Sequence, residues 1–402
     1  MTVIKRDGTE VTFDSAKIKS AISKANGRSK EMTVDDIDRI VSIVENKCAR
    51  TIGELKVENI QDLVEQTLLA SRFKATAKQY ILYRDQRTRI REGKSKLFKE
   101  VGEMVNGANE YWNKENSNKD AKVVTTQRDY LAGIVSTEIS KNSLLPQEVV
   151  KAHEAGIIHQ HDMDYMAQKA LNNCCLVNLE DMLQNGTVIN GVKIDPQHRL
   201  LTATTVATQI VTAVASSQYG GTTITLTHLA PFVRMSYNKY LEETTSELAE
   251  VTIENKDELI KKIAKQRLAK EVKDSVQTFN YQINSMSTTN GQAPFLSVCM
   301  YMNEDPEYSE EIAVLVEEFL NQRIQGMKNE KGVWITPAFP KLLYVLDEDN
   351  IHEDSKYWYL TELAAKCTAK RMVPDYISAK KMREYKISTK TNEGTVYPCM
   401  GK

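Results

Sequence analysis

Short apolar segments alternate with amphipathic helical patterns over the carboxyl-terminal half of the chain. Residues 295–299, 333–336 and 342–346 have the pattern of strands, and helical patterns over 310–326 and 356–371 flank them. Apolar strands that alternate with helices are typical of a mostly parallel sheet with helices on its faces. The sequence therefore predicts an α/β body. A barrel is one way to close such a sheet, and Asn-Gly turns also allow hairpins.

The amino-terminal part of the chain predicts a separate small module. Two short strand-like runs meet at Asp7-Gly8, a pair favoured in tight hairpin turns. Asp14 or Ser15 caps an amphipathic helix, Thr33 with Asp36 resembles a capping box before a second helix, and a third helical pattern follows. A hairpin on a few helices fits the usual size of a domain.

The composition becomes charged and Asn-rich from Arg87 to Lys122, which predicts a linker followed by an entry helix. We place a domain boundary near residue 92, so that the chain divides into residues 1–92 and 93–402. The length of 402 residues agrees with two or three structural units, at roughly 100 to 200 residues per domain.

The overall charge is balanced, with 53 Lys and Arg residues against 54 Asp and Glu residues. Such a chain has no global field that would recruit nucleic acid or an anionic membrane, so any phosphate site must be local. The apolar runs fall short of the roughly 20 residues of a membrane span, and the first residues lack a signal-peptide core. The six cysteines lack a secretory context, and we expect a cytoplasmic protein with reduced thiols.

The densest chemistry lies at residues 157–176, which bring imidazoles, carboxylates and thiols close together in sequence. If the backbone is extended there, His159 and His161 face one side, and Asp162 and Asp164 face the other. A satisfied pair of core histidines is the alternative interpretation.

Adjacent Cys174 and Cys175 complete this stretch. Structural zinc needs paired ligands at short loop spacings, which adjacent cysteines do not offer, so the sequence predicts no metal site. Two small buried hydrophobic residues are the alternative to a functional thiol pair.

A helix with two different faces is predicted over residues 200–216. The apolar stripe consists of Leu200, Ala203, Ala207, Ile210 and Val214, and the polar, uncharged stripe consists of Thr202, Thr205, Gln209, Thr212 and Ser216. A solvated face normally carries Lys and Glu, so the uncharged stripe suggests contact with another helix or with a ligand. We favour a helix interface with a nucleotide effector beside it. Small residues that let helices pack closely in a core are the alternative. Adjacent Gly220 and Gly221 follow, where the backbone can closely approach a phosphate or a neighbouring chain.

Three motifs are distinctive in the amino-terminal module. They are Val-Ile-Lys-Arg-Asp-Gly at 3–8, Phe-Asp-Ser-Ala-Lys-Ile at 13–18 and Ala-Lys-Gln-Tyr-Ile-Leu-Tyr-Arg at 77–84. Together they resemble an ATP-cone domain, the nucleotide-sensing module of ribonucleotide reductases and their repressors. The resemblance implies that ATP or dATP binds at the hairpin and first helix, near Val3, Lys5, Arg6 and Lys17. An ordinary solvated basic patch is the alternative.

A second set of motifs runs through the rest of the chain. In order, they are His159 to Tyr165, Asn173 to Leu176, Ser217 to Thr223, Ala230 to Phe232, Ser236 to Lys239, Asn290 to Phe295, Phe339 to Leu342 and Lys370 to Asp375. Together they resemble the anaerobic ribonucleoside-triphosphate reductases, the glycyl-radical branch of the ribonucleotide reductases. The resemblance implies an incomplete ten-stranded α/β barrel, whose finger loop bears a cysteine that becomes a thiyl radical.

The sequence departs from this family at its last residues. The thiyl cysteine of the family follows Met-Gly, whereas Met400-Gly401 precedes Lys402 here, and we do not expect Cys399 to replace it. The zinc-binding cysteines and the glycyl radical of the family lie further towards the carboxyl terminus. We therefore expect a fragment, or one half of a split enzyme, that is inactive alone.

The resemblance also implies roles for individual residues. Cys174 would supply hydrogen during reduction of the ribose, with Cys175 as the second candidate. The residues that would line the substrate pocket are His159, His161, Asn290 and Gln292, and those that would read a deoxynucleotide effector at a dimer interface are Gln209 and Lys239.

The implied activity is anaerobic reduction of ribonucleoside triphosphates to deoxyribonucleoside triphosphates, controlled by ATP or dATP and by deoxynucleotide effectors. The implied partners are a second copy of the chain, a radical-SAM activating enzyme and a polypeptide that carries the radical glycine and zinc. The alternative is a nucleotide-sensing regulatory protein in which the barrel portion is vestigial.

Overall fold

The computed structural model describes residues 1–51, 53–105, 120–168, 173–218, 220–252 and 254–385. The chain divides into two compact units. The first unit contains Met1–Gly102 and Glu138–Gln160, and the second contains Glu103–Thr137 and His161–Lys402.

The first unit begins with the predicted hairpin. Strand β1 (Thr2–Ile4) pairs with β2 (Glu10–Thr12) in antiparallel orientation, and Gly8 adopts a positive φ of 81° in the connecting turn. Only glycine enters this region without a steric penalty, which is why Asp-Gly is favoured there.

Helices follow the hairpin as the capping patterns predict. Asp14 accepts a hydrogen bond from the Ala16 amide at 3.0 Å, and Thr33 and Asp36 form the reciprocal capping box. The helices are α1 (Ser15–Ser29), α2 (Val34–Ala49), α3 (Val57–Ala70) and α4 (Lys74–Val105). These helices enclose a hydrophobic core, in which the side chains of Ile22, Val44 and Leu68 have no solvent-exposed surface.

Helix α4 corrects the linker prediction. The segment expected to be a linker from Arg87 is helical as far as Val105, so α4 passes through residue 92 without a break. Arg, Lys and Glu are good helix formers, so a charged segment can remain helical without a regular apolar stripe. The boundary at residues 92 and 93 stays a prediction, and residues 106–119 lie outside the described residues.

A parallel sheet forms the centre of the second unit. Its strands are β3 (Cys175–Leu176), β6 (Thr222–Thr225), β7 (Leu296–Met300), β10 (Lys341–Leu346) and β11 (Asp375–Ser378). The strand order is β11-β10-β7-β6-β3, and every neighbouring pair is parallel. The predicted α/β body is confirmed. The described part of the chain contains these five parallel strands and not the ten of a complete barrel.

The other described hairpins and α-helices lie wholly or mostly in the second unit unless noted. Two antiparallel hairpins are β4 (Thr187–Ile189) with β5 (Val192–Ile194), and β8 (Met327–Lys328) with β9 (Trp334–Ile335). The helices are α5 (Val124–Ile139), α6 (Gln147–Glu154, in the first unit), α7 (Leu179–Gln184), α8 (Leu200–Ala215), α9 (Ala230–Glu247), α10 (Lys256–Ser285), α11 (Ser309–Gln325), α12 (Trp358–Arg371) and α13 (Ala379–Tyr385). Among the described residues, no helix is long and apolar enough to span a membrane.

The two faces of the sheet pack differently. Ile224, Val298 and Leu342 belong to the large core that includes the residues of α8 to α12, so we call this the helical face. On the opposite face, Cys299 and Val345 pack with Ala379 of α13. Side chains alternate between faces along a strand, so residues that are adjacent in sequence lie on opposite faces of the sheet.

His228, between β6 and α9, makes the stability of the second unit sensitive to acid. Burial lowers the pKa of its imidazole to about 4, whereas it titrates near 6.5 when unfolded. The unfolded chain thus binds the proton more readily, so stability should fall as pH drops from 6.5 towards 4, by about 2 kcal/mol at pH 5. Urea unfolding of wild type and His228→Gln at pH 7 and pH 5 measures this. An equal pH dependence in both proteins would contradict it.

Candidate active site and nucleotide pocket

Cys174 lies where the backbone enters strand β3, beside the backbone that enters β6. The Gly220 amide donates to the Asn173 carbonyl at 2.7 Å, and the Cys175 amide donates to the Gly221 carbonyl at 3.1 Å. The Cys174 thiol lies 3.1 Å from Asn173 Oδ1 and donates to it. The thiol is thus held between two neighbouring strand entries.

Gly220 allows this close approach. A Cβ atom at this position would lie 2.2 Å from both the carbonyl oxygen and Oδ1 of Asn173, and 2.6 Å from the Cys174 sulfur. No side chain fits at these distances without displacing the thiol or the backbone. The paired glycines that the sequence singled out therefore make a close contact, at Gly220, with the candidate thiol.

The two adjacent cysteines have different surroundings. Cys175 packs against the core on the helical face, and Leu176 follows it on the opposite face. The alternation places Cys174 on the same side as Leu176. Both cysteines are partly exposed, whereas Cys299 is fully buried and burial raises the pKa of its thiol.

The predicted amide residues Asn290 and Gln292 flank a tight turn before β7. Gly291 has a φ of 71°, and its carbonyl accepts a hydrogen bond from Thr126 Oγ1 at 2.9 Å. Asn290 is half-buried, and Gln292 is only 5% exposed. This turn is connected to β6, since the Thr222 amide donates to the Phe295 carbonyl at 2.8 Å.

Buried oxygen atoms without a hydrogen-bond partner lie near these strand entries. Among the described residues they include Gln218 Oε1, Thr288 Oγ1 and Thr125 Oγ1. Gln218 lies within the Ser217 to Thr223 motif, but the sequence analysis gave no role to any of these three residues. Buried polar atoms are normally paired, so such a group indicates a place for water or a polar ligand. Their residue types carry no distinctive sequence signal, and only the tertiary structure identifies them.

The backbone around the two histidines is not extended, so the arrangement considered for an extended segment does not form. Residues 161–167 form a run of turns, Asp162 has a φ of 58°, and its carboxylate lies 3.2 Å from His161 Nε2 rather than on the opposite side. His159 belongs to the first unit, where its ring centroid lies 5.5 Å from that of His153, and His161 belongs to the second unit. Both histidines are exposed.

The polar stripe on α8 is largely satisfied by its own helix. The hydroxyls of Thr205, Thr212 and Ser216 donate to backbone carbonyls one turn earlier, at 2.8 to 2.9 Å. Hydroxyls paired in this way agree with the packing alternative for these positions. Gln209 on α8 and Lys239 on α9 are both exposed, and their proposed effector role stays a prediction.

The first unit contains a cavity of about 470 Å³ beside the hairpin. All four predicted nucleotide residues, Val3, Lys5, Arg6 and Lys17, line it. The sequence analysis missed Gln61 on α3 and Tyr80 on α4, which complete the wall from distant parts of the chain. Tyr80 is buried, and burial raises the pKa of its phenol to about 12, so it remains a neutral hydrogen-bonding group.

The charges of this cavity are partly paired. Arg6 forms an ion pair with Glu58 and donates to Gln61 Oε1 at 3.1 Å, and Lys17 lies 3.9 Å from Asp14. Lys17 is largely exposed, so it can turn towards a bound anion. The cavity therefore combines an apolar wall with mobile cations, which suits a nucleotide with its phosphates near the hairpin.

Comparison with known proteins gives two family matches along the chain. Residues 1–89 match the family described as ATP cone domain, and residues 115–401 match the family described as anaerobic ribonucleoside-triphosphate reductase. The chain is 37% identical to the anaerobic ribonucleoside-triphosphate reductase of Escherichia coli, over 98% of this chain and 53% of that protein. The same enzyme of Haemophilus influenzae is also 37% identical, over 94% of this chain and 52% of that protein.

Solved structures give a weaker likeness. The anaerobic ribonucleotide reductase of Thermotoga maritima with dATP bound in the specificity site aligns at 16% identity and a TM-score of 0.44, covering 73% of this chain and 50% of that one. The chain spans about half the length of the curated relatives named above. The family match covers most of the chain, and by that measure the chain belongs to the anaerobic ribonucleoside-triphosphate reductases and carries an amino-terminal ATP-cone domain.

Proposed function

We propose that this chain supplies the nucleotide-sensing domain and the first half of the catalytic barrel of an enzyme that reduces ribonucleoside triphosphates to deoxyribonucleoside triphosphates without oxygen. The observation that carries the proposal is the position of Cys174, which Gly220 holds at the entry to a parallel sheet, on the side away from the helical face. Five parallel strands are the number expected for half of a ten-stranded barrel.

In this mechanism the Cys174 thiol would transfer a hydrogen atom to the ribose and be left as a sulfur radical. The ribose 2′-hydroxyl would leave as water, and an external two-electron reductant would supply the two electrons and two protons of the net reaction. The S–H bond of Cys174 is weak, which makes the thiol a good hydrogen donor. Asn290 and Gln292 offer amide donors to sugar or phosphate oxygens, and His161 of the same unit contributes a polar contact to the substrate. Exclusion of water and oxygen keeps the reactive species from side reactions.

The residues named above do not include the radical glycine or the zinc-binding cysteines of the family. The glycyl radical supplies the one-electron oxidation that starts the reaction. Among the described residues, no group of three His, Cys, Asp or Glu side chains could hold a metal ion. We assign the radical glycine and the zinc site to the further sequence that the longer relatives contain, supplied in the same polypeptide or by a partner.

The effector site belongs to the same proposal. Gln209 and Lys239 would contact a deoxynucleotide where two copies of the chain meet. Helix α8 carries Gln209 and is capped at its carboxyl terminus by Ser216. The Ser216 carbonyl accepts a hydrogen bond from Thr289 Oγ1 at 3.2 Å. Thr289 belongs to the same turn as Asn290, so a shift of α8 can reach the proposed substrate residues.

Assembly with the missing machinery tests the proposed activity. The chain is combined with a polypeptide that carries the thiyl cysteine, the zinc site and the radical glycine, the assembly is activated by a radical-SAM enzyme, and a two-electron reductant is supplied in excess. Conversion of CTP to dCTP under anaerobic conditions is the expected result, with none from the chain alone. An activated partner that gives no product would favour the second candidate, a nucleotide-sensing protein, which rests on the complete cavity of the first unit.

The nucleotide pocket gives a prediction that applies to both candidates. Lys17→Ala should weaken ATP binding about fivefold or more, because it removes a cation that can pair with phosphate. Lys24→Ala is the matched control, since Lys24 is an exposed lysine on the same helix that does not line the cavity. Calorimetric titration of the full chain measures both, and equal affinities in the two variants would contradict this position for the phosphates.

A further inference from the structure

A single cationic residue lies within the five strands of the described sheet. It is Lys341, the first residue of β10, in the Phe-Pro-Lys-Leu motif that the proposed function leaves without a role. Leu342 and Tyr344 belong to the helical face, so Lys341 lies on the opposite face. This is the face on which we place Cys174.

The strand register puts Lys341 at the end of a row that leads back to this cysteine. Lys341 pairs with Ser297, Ser297 pairs with Thr223, and Thr223 pairs with Leu176. Cys174 precedes Leu176 by two residues and so shares its side of the strand. Neighbouring strands are about 4.8 Å apart, so the row extends about 14 Å from β3 to β10.

The surroundings of Lys341 leave its charge uncompensated. Its ammonium lies 5.0 Å from the ring centroid of Phe295, and within the described ranges it forms no ion pair with a carboxylate. Thr223 and Ser297 are 2% and 4% exposed, so the row beside it is largely removed from water. A partly desolvated ammonium needs an anionic partner, and a row that contains hydroxyl groups provides further donors to that anion.

We propose that Lys341 binds the polyphosphate of the nucleotide whose ribose faces Cys174. The inference rests on the proposed function and adds a position for the phosphates at the far end of the row. A nucleotide lying across β6 and β7 has its sugar at one end and its phosphates at the other, and an extended triphosphate and a lysine side chain together bridge the span.

Lys328 provides an internal control for this assignment. It lies on the separate hairpin of β8 and β9, with its ammonium 5.2 Å from the centroid of Trp334. Each lysine thus lies near an aromatic ring, Phe295 for Lys341 and Trp334 for Lys328. Only Lys341 belongs to the row that leads to Cys174. A ligand effect on Lys341 alone therefore cannot arise from the aromatic contact.

Chemical footprinting of the full chain tests the proposal without requiring turnover. Lysines are acetylated and cysteines alkylated under anaerobic conditions with CTP, inorganic triphosphate or cytidine, and the modification of Lys341, Lys328 and Cys174 is measured by peptide mass spectrometry. We expect CTP to protect Lys341 and Cys174, inorganic triphosphate to protect Lys341, and Lys328 to react equally throughout. Protection of Lys341 by cytidine as strong as by CTP would overturn the phosphate assignment.

Variants separate this inference from the proposed function. In Lys341→Met, the CTP concentration that half-protects Cys174 should rise at least about tenfold, whereas Lys341→Arg should restore most of the affinity and Lys328→Met should not change it. Protection of Cys174 that is unchanged in Lys341→Met would overturn the inference and leave the proposed function in place. If CTP protects neither Cys174 nor Lys341 in the wild type, both fail.

Discussion

Replacing Cys174 with alanine should abolish deoxynucleotide formation by the assembled enzyme, by at least about a thousandfold, which corresponds to roughly 4 kcal/mol of lost transition-state stabilisation. Among the residues that the structure describes, Cys174 has the only thiol at the sheet entry on the side away from the helical face, and the substitution removes it. Cys174→Ser keeps the shape but replaces the S–H bond with a stronger O–H bond, so it should be inactive as well. Anaerobic product analysis measures both effects.

The neighbouring thiol is the matched control. Cys175→Ala should keep activity within about threefold, because this side chain packs on the helical core and its loss removes only modest contacts. Substrate binding, measured by nucleotide protection of backbone amides from hydrogen exchange, should persist in both cysteine variants. An inactive Cys175→Ala together with an active Cys174→Ala would assign the hydrogen donor to the other cysteine.

Gly220→Ala should displace the Cys174 thiol, because Gly220 lies against Cys174 just before strand β6. The added methyl group would lie 2.2 Å from two oxygens of Asn173 and 2.6 Å from the Cys174 sulfur, so the backbone or the thiol must move. We expect a loss of about 1–3 kcal/mol in the free energy of unfolding. Activity should fall about a hundredfold, since small displacements of a reacting group are costly.

Gly27→Ala is the control for this glycine. Apart from its chain neighbours and the backbone of its own helix, no described atom lies within 4 Å of a Cβ at position 27 in helix α1, so alanine there should stabilise the protein by about 0.5–1 kcal/mol. Urea unfolding gives the stabilities, and the rate of alkylation of Cys174 reports the position of the thiol. Wild-type stability together with wild-type alkylation in Gly220→Ala would show that the close approach does not constrain the cysteine.

Features determined by local sequence were predictable. The hairpin at Gly8, the cap at Asp14 and the capping box at Thr33 depend on residues within a few positions of one another. Steric and hydrogen-bonding preferences act at this range, so the residue types alone indicate the backbone conformation.

Features that join distant segments were not predictable from residue patterns. Tyr80 reaches the nucleotide cavity from α4, and Gly220 meets Asn173 across two strands. The turn conformation of the histidine segment was not predictable, because alternating residues form a strand only where a neighbouring strand is available to pair. The first part of the predicted linker is helical because charged, unbranched side chains favour helix even without an apolar stripe.

The length of strand β3 has a consequence for the handling of this protein. In the described sheet it forms one border, and it contains only Cys175 and Leu176. An edge of two residues presents few open backbone groups, so it is a poor template for the addition of foreign β-structure. Self-association of the protein through that border should therefore be limited. Precipitation at high protein concentration should depend more on the apolar side chain of Leu176, which is 54% exposed.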